Sequence, residues 1–294
     1  MSPLLPLPEL NQTFSDIPSS LHWLLSRQNT TPNHFQTSTV IVASVYFIIV
    51  LIAWNLPILR DVIAGLKLFT VAIHELCHLT IGLLCGGQVW SICIDPNDGG
   101  ATTISGLMRT TPRVPNNPYA LPTMAQLYWS ASAVATLSAG YVGSSIVGWL
   151  FIVSGLDIVA SKIAALVIHI GMLVPILRAD SWVAFGSIII CEAVLIGLWF
   201  GDHGSALRYY VLFLGVMNLF YSVWDYIDEA LYDKRNSSDC SQFSHLLGWP
   251  RAGWAIFWFI YEALVFTSAM FAGIIVFRRS DEDMYAEASH FLPT

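Results

Sequence analysis

His74, Glu75 and His78 interrupt an apolar run, Val71-Ala72-Ile73-His74-Glu75-Leu76-Cys77-His78-Leu79-Thr80-Ile81-Gly82-Leu83-Leu84, that otherwise reads as part of a membrane-crossing helix. An Asp, Lys or Arg at that depth costs about 2.5–3.5 kcal/mol on insertion scales, so three ionisable groups in one span imply a compensating partner. Their spacing indicates a metal ion. Residues four apart on a helix project within about 40° of one another, so the imidazoles of His74 and His78 can converge on one ion. Glu75, one position further round, can reach a water on that ion without binding the ion itself. This is the general-base geometry of zinc hydrolases with an H-E-x-x-H motif. The competing reading is a pair of core histidines satisfied by neighbouring hydroxyls or carbonyls. Cys77 points away from the bisector of the two histidines and reads as a packing residue.

A hydrolytic zinc site has three protein ligands and one open position, so a third donor must come from elsewhere in the chain. In Asn218-Leu219-Phe220-Tyr221-Ser222-Val223-Trp224-Asp225-Tyr226-Ile227-Asp228-Glu229, helical spacing brings Asp225, Asp228 and Glu229 to one face. Asp225 lies deepest in the apolar run, where an unpaired carboxylate is least tolerable, and is the expected third ligand. Asp228 and Glu229 read as a solvated helix end, because Asp233, Lys234 and Arg235 follow at once. Other intramembrane ionisable groups compete with Asp225: His169, mid-span in Ala165-Leu166-Val167-Ile168-His169-Ile170-Gly171, and Glu192 and Glu262 in later spans.

The elements that must position these residues follow from composition. The chain has 294 residues, 55% hydrophobic and 11% charged, with abundant Trp, Tyr and Phe, and a positive mean hydropathy. A soluble enzyme carries about 25% charged residues, so an integral, multi-pass membrane protein is expected. The formal net charge of -7 is no nucleic-acid footprint, and nucleic acid is excluded as a partner; the bilayer itself is the expected surroundings. Five scattered cysteines suggest no disulfide framework. Residues 1–37 form a polar, disordered leader without the layout of a signal peptide. Residues 38–278 form a single polytopic membrane domain, with its core at about 60–260, and 279–294 an acidic C-terminal tail. Candidate spans at 39–59, 62–85, 124–154, 158–177, 182–200, 206–227 and 254–277 give an all-α membrane helix bundle of about seven transmembrane helices. After the second span, residues 88–122 contain a strand-like stretch and the turn signal Asp95-Pro96-Asn97-Asp98-Gly99-Gly100, a short extramembrane hairpin or loop insertion that can dip toward the site. Ser138-Ala139-Gly140-Tyr141-Val142-Gly143-Ser144-Ser145 reads as a face where helices approach closely.

Taken in order, these pieces resemble a known family. His74-Glu75-Leu76-Cys77-His78, Gly86-Gly87, Gly99-Gly100-Ala101-Thr102-Thr103, Ala139-Gly140-Tyr141-Val142-Gly143-Ser144-Ser145 and Ser222-Val223-Trp224-Asp225 are similar to the site-2 protease class of intramembrane zinc metallopeptidases, in the B-like branch of the M50 peptidase family. The resemblance implies a peptidase with one zinc ion, with His74, His78 and an Asp as ligands and Glu75 as base. Better-known members carry the third ligand in an Asn/Pro-containing Leu-Asp-Gly motif. Here Trp224 precedes Asp225 and Tyr226 follows it, so Asp228, Asp239 of Ser237-Ser238-Asp239-Cys240 and His169 stay open beside Asp225.

The expected reaction is hydrolysis of peptide bonds in membrane-protein or peptide substrates, with Glu75 taking a proton from a zinc-activated water and returning it to the leaving amine. Because helical carbonyls are already hydrogen-bonded, a substrate has to unwind first, and the 88–122 insertion can offer it extended backbone. Two other classes fit parts of the pattern. A catalytically inactive, peptidase-like membrane binding protein would keep the ligands without needing Glu75, and an ion or proton transporter would use His169, Glu192, Asn218 and Asp225 as a polar path.

Overall fold

Runs of apolar residues cross hydrocarbon as helices because only the helix satisfies each backbone N–H and C=O within the segment. A computed structural model describes residues 34–95, 99–105, 124–178, 182–232, 236–278 and 280–291. In chain order they form α1 (His34–Asn55), α2 (Pro57–Val62), α3 (Ala64–Leu84), β1 (Gln88–Asp95), β2 (Gly99–Ser105), α4 (Met124–Ser154), α5 (Ile158–Arg178), α6 (Trp182–Phe200), a 3-10 turn (Asp202–Gly204), α7 (Leu207–Leu219), α8 (Tyr221–Tyr232), α9 (Asp239–Leu247), α10 (Arg251–Val276) and α11 (Asp281–His290). Most of the expected leader lies outside the described residues, as does the tip of the expected turn at 96–98, and α1 begins at His34.

Among the described residues, α1, α3, α4, α5 and α10 are long and apolar enough to cross a membrane, and α7 with α8 makes a sixth span if the bent pair is taken as one. The chain is an all-α, multi-pass membrane bundle. About seven crossings were expected from hydropathy; the difference is α6, whose apolar stretch Ala184–Phe200 falls short of the length of the other spans.

The expected sixth span is not straight. α7 and α8 meet at an angle of 60°, with Phe220 out of helical geometry at φ -94°, ψ 31°. A break at this depth frees backbone donors that lipid cannot satisfy. Here buried Glu262 of α10 accepts from the Ser222 backbone N–H (3.0 Å) and hydroxyl (2.8 Å), which accounts for a carboxylate in that helix.

α4 is the central helix, packed against α3, α7 and α10. Small residues bring the axes together, as expected for 138–145 and beyond it. A Cβ on Gly148 would lie 2.5 Å from the Leu219 nitrogen, and one on Gly215 2.8 Å from that of Ile152, so α4 and α7 touch backbone to backbone. The α3 terminus is a Schellman turn: Gly86, at φ +81°, lets the Gly87 N–H reach the Gly82 carbonyl (2.8 Å) and the Gly86 N–H that of Leu83 (2.9 Å). This reverses the chain into the antiparallel β1–β2 hairpin, where Ile92 pairs with Thr102 and Ile94 with Gly100. The hairpin lies back over α3.

The acidic tail is largely helical. α11 buries Met284 and Ala288 against Ile158, and the Lys162 ammonium donates to the Ala288 and Phe291 carbonyls, both at 3.0 Å, where a helix C-terminus favours a cation. Cys77, Cys85, Cys191 and Cys240 are free thiols.

The bend also overturns the solvated helix end expected at Asp228. Its carboxylate is buried, accepts from Trp54 Nε1 (2.9 Å) and pairs with Arg60 (3.4 Å) and Lys67 (3.5 Å), tying α1, α2, α3 and α8 together. Glu229 is engaged as well, accepting from the hydroxyls of Ser238 and Ser241 at the start of α9. Removing one partner of a buried ion pair costs about 3–5 kcal/mol. Asp228→Ala should lose that much stability, read as a lower thermal unfolding midpoint in detergent, and Asp228→Asn, which keeps the Trp54 bond, should lose less. An unchanged midpoint for Asp228→Ala would remove this cluster from the account of the fold.

Candidate metal centre

The helical repeat of α3 turns His74 and His78 toward α4, with their Nε2 atoms 2.9 Å apart and the rings nearly perpendicular at 84°. The Thr136 carbonyl of α4 lies 2.7 Å from His78 Nδ1. A carbonyl only accepts, so Nδ1 carries the proton and Nε2 presents its lone pair, the usual support for a metal-binding imidazole. Ser144 Oγ stands 3.5 Å from Nδ1 of His74.

A third donor meets the two nitrogens. Asp239 Oδ2 is 3.1 Å from His74 Nε2 and 2.9 Å from His78 Nε2. Asp239 is the first residue of α9, whose N-cap Ser238 accepts from the Ser241 N–H and donates to Glu229.

These residues fit a metal. Among the described residues, His74, His78 and Asp239 are the His/Cys/Asp/Glu group whose donor atoms converge closely enough to hold an ion, and all three are buried. Two imidazole nitrogens and an anionic oxygen this close to one another repel unless a cation or protons lie between them. Four ligands tetrahedral about an ion at 2.0–2.1 Å stand about 3.3 Å apart, near the spacing seen. Asp239 Oδ2 is buried and, among the described residues, has no hydrogen-bond donor. Gly140 keeps the adjoining space open: a Cβ there would sit 2.6 Å from His74 Nε2 and closer still to His78 Nε2.

Glu75 stands beside this group and outside it. Its Oε2 accepts the Thr102 hydroxyl of β2 at 2.5 Å, and a Cβ on Gly100 would collide with its carboxylate. The hairpin therefore closes over the site. Glu75, the two histidines, Asp239 and residues 100–105 line one cavity of about 710 Å³. Thr102 was not singled out by its chemistry in the sequence; the signal was the Gly-Gly pair before it, a place for close backbone approach.

Asp225, the expected third ligand, takes a different position. It lines the same cavity, but its Oδ2 accepts the Tyr141 hydroxyl (2.7 Å) and the Asp239 backbone N–H (3.2 Å). The bend at Phe220 aims α8 so that Asp225 meets α4 and the start of α9, and α9 carries Asp239 to the histidines in its place. Of the remaining candidates, Asp228 is held by Arg60 and Lys67, and His169 pairs with Glu192 at 2.5 Å. Cys77 lies against Gly143 of α4.

The Peptidase M50B-like family model matches residues 42–115 and 126–269. No curated protein and no solved structure matches the chain. The matched segments run through α3, the hairpin and the α7–α8 bend to Asp239 and most of α10. Because they amount to well over half of its length, this integral, multi-pass membrane protein belongs to the Peptidase M50B-like family.

Proposed function

We propose that the chain is an intramembrane zinc metalloendopeptidase acting on membrane-embedded protein or peptide substrates. The observation that carries this reading is the convergence of His74 Nε2, His78 Nε2 and Asp239 Oδ2 beside Glu75 in one cavity. Two imidazole nitrogens and one carboxylate oxygen, with the cavity on the open side, form the ligand set of a catalytic zinc site. When bound, zinc supplies a water acidified to near neutrality and polarises a carbonyl.

The chain's own residues do the rest. His78 is locked as a lone-pair donor by Thr136, and Asp239 contributes the negative charge that balances a cation. Glu75 takes the proton of the attacking water and returns it to the leaving amine. The Thr102 hydroxyl orients the Glu75 carboxylate through one oxygen, leaving the other for the proton. β1 pairs with one edge of β2, and residues 101–105 border the cavity, so an unwound substrate can add as an extended strand along the other edge.

The test compares membrane-protein fragments in cells carrying the wild-type chain with those carrying Glu75→Gln. Loss of a general base slows a reaction about 10²–10⁴-fold, so specific fragments should disappear in the variant while its purified form keeps zinc. Zinc-bound wild type with no difference in fragments across the membrane proteome would instead support the inactive, metal-binding reading.

A further inference from the structure

On the other side of Glu75 lies a second cavity of about 140 Å³, walled by Phe69, Ala72 and Leu76 of α3, Ile92 and Ile94 of β1, and Val174 of α5. Among the described residues, Glu75 is the one lining residue common to both cavities and the one polar group in this wall. Resting on the peptidase reading, we propose that this pocket receives a large apolar side chain adjoining the scissile bond, so that the chain cuts beside Leu, Ile, Phe or Met in preference to Ala or Gly.

Three observations carry the proposal. First, the helical repeat puts His74 and His78 on one face of α3 and residues 72, 76 and 79 on the next, with Glu75 at the seam. A peptide held with its carbonyl at the histidines and its amide at Glu75 therefore has its neighbouring side chain over the apolar face. Second, one hairpin covers both cavities in register. Thr102 and Gly100 contact Glu75, and their cross-strand partners Ile92 and Ile94 roof the apolar pocket. Third, the size fits one side chain, since an apolar cavity of about 150 Å³ accommodates a benzene ring. Gly171 helps to keep it clear: a Cβ there would lie 2.7 Å from Phe69 Cε2 and displace the ring that forms the wall.

Purified full-length protein is incubated in detergent with a proteome-derived peptide library, and new N-termini are mapped by mass spectrometry. The wild type should cut with large apolar residues enriched at one of the two positions flanking the cleaved bond. Ala72→Leu and Val174→Phe, which fill the pocket from different helices, should each lower the ratio of cuts beside large apolar residues to cuts beside Ala by roughly 10- to 100-fold, with zinc retained. Val174 is half exposed, so its substitution spares the core even if that of Ala72 does not. A wild type without this enrichment overturns the inference alone, as do zinc-bound filled variants with the wild-type profile, the result expected if a lipid chain occupies the pocket. A library cut no faster by wild type than by Glu75→Gln overturns the peptidase reading and the inference with it.

Discussion

Asp239→Ala should empty the metal centre, taking zinc in the purified protein from near one ion per chain to background and abolishing cleavage. Structural zinc sites with four ligands bind with about 10–16 kcal/mol, so one ligand's share is on the order of 3 kcal/mol, or two powers of ten in affinity. Asp239 Oδ2 is within 3.1 Å of both imidazoles, and no other described side chain completes the group. Asp225→Ala should act more weakly. Its carboxylate holds Tyr141 and the Asp239 backbone N–H, and groups that support a ligand are worth 10–100-fold in metal affinity. Zinc titration against a competing chelator ranks the two variants. If Asp225→Ala loses zinc completely while Asp239→Ala keeps it, Asp225 is the ligand and the assignment here is reversed.

Gly140→Ala is expected to match that loss through a single methyl group. The added carbon would fall between the imidazoles, 2.6 Å from His74 Nε2. Neither ring can retreat cheaply. His78 is tied to the Thr136 carbonyl, and both rings hang from a helix in close contact with α4, so the helices must part or the donors must rotate away. Overpacking a tight core costs about 1–3 kcal/mol, and loss of the donor geometry comes in addition. Zinc content and cleavage should both vanish with the helical circular dichroism retained. Gly186→Ala is the matched control, because a Cβ at Gly186 meets nothing within 4 Å. A Gly140→Ala protein that binds zinc as wild type does would show that the space beside the imidazoles is not where an ion sits.

The amino-acid sequence alone determined what helix geometry and hydropathy dictate locally. His74 and His78 share a face because four residues make just over one helical turn. The apolar runs become a membrane bundle because hydrocarbon tolerates no unpaired backbone. The turn signal at 95–100 yields a hairpin, and the small residues around Gly140 let α4 approach α3.

Tertiary structure decided the third carboxylate of the group. Asp225 is the deepest acidic residue in its run, and a straight helix would have made depth the relevant criterion. The 60° bend after α7 removes that premise. It sends Asp225 to Tyr141 and the α9 backbone, buries Asp228 among Arg60, Lys67 and Trp54, and lets a nine-residue helix outside the spans return Asp239 to the histidines. The bend in turn depends on Glu262, which takes the freed Ser222 donors from another helix. Neighbours on one helix are set by its period, whereas partners on different helices are set by where each chain break finds its missing hydrogen bonds, and that is a property of the packed bundle.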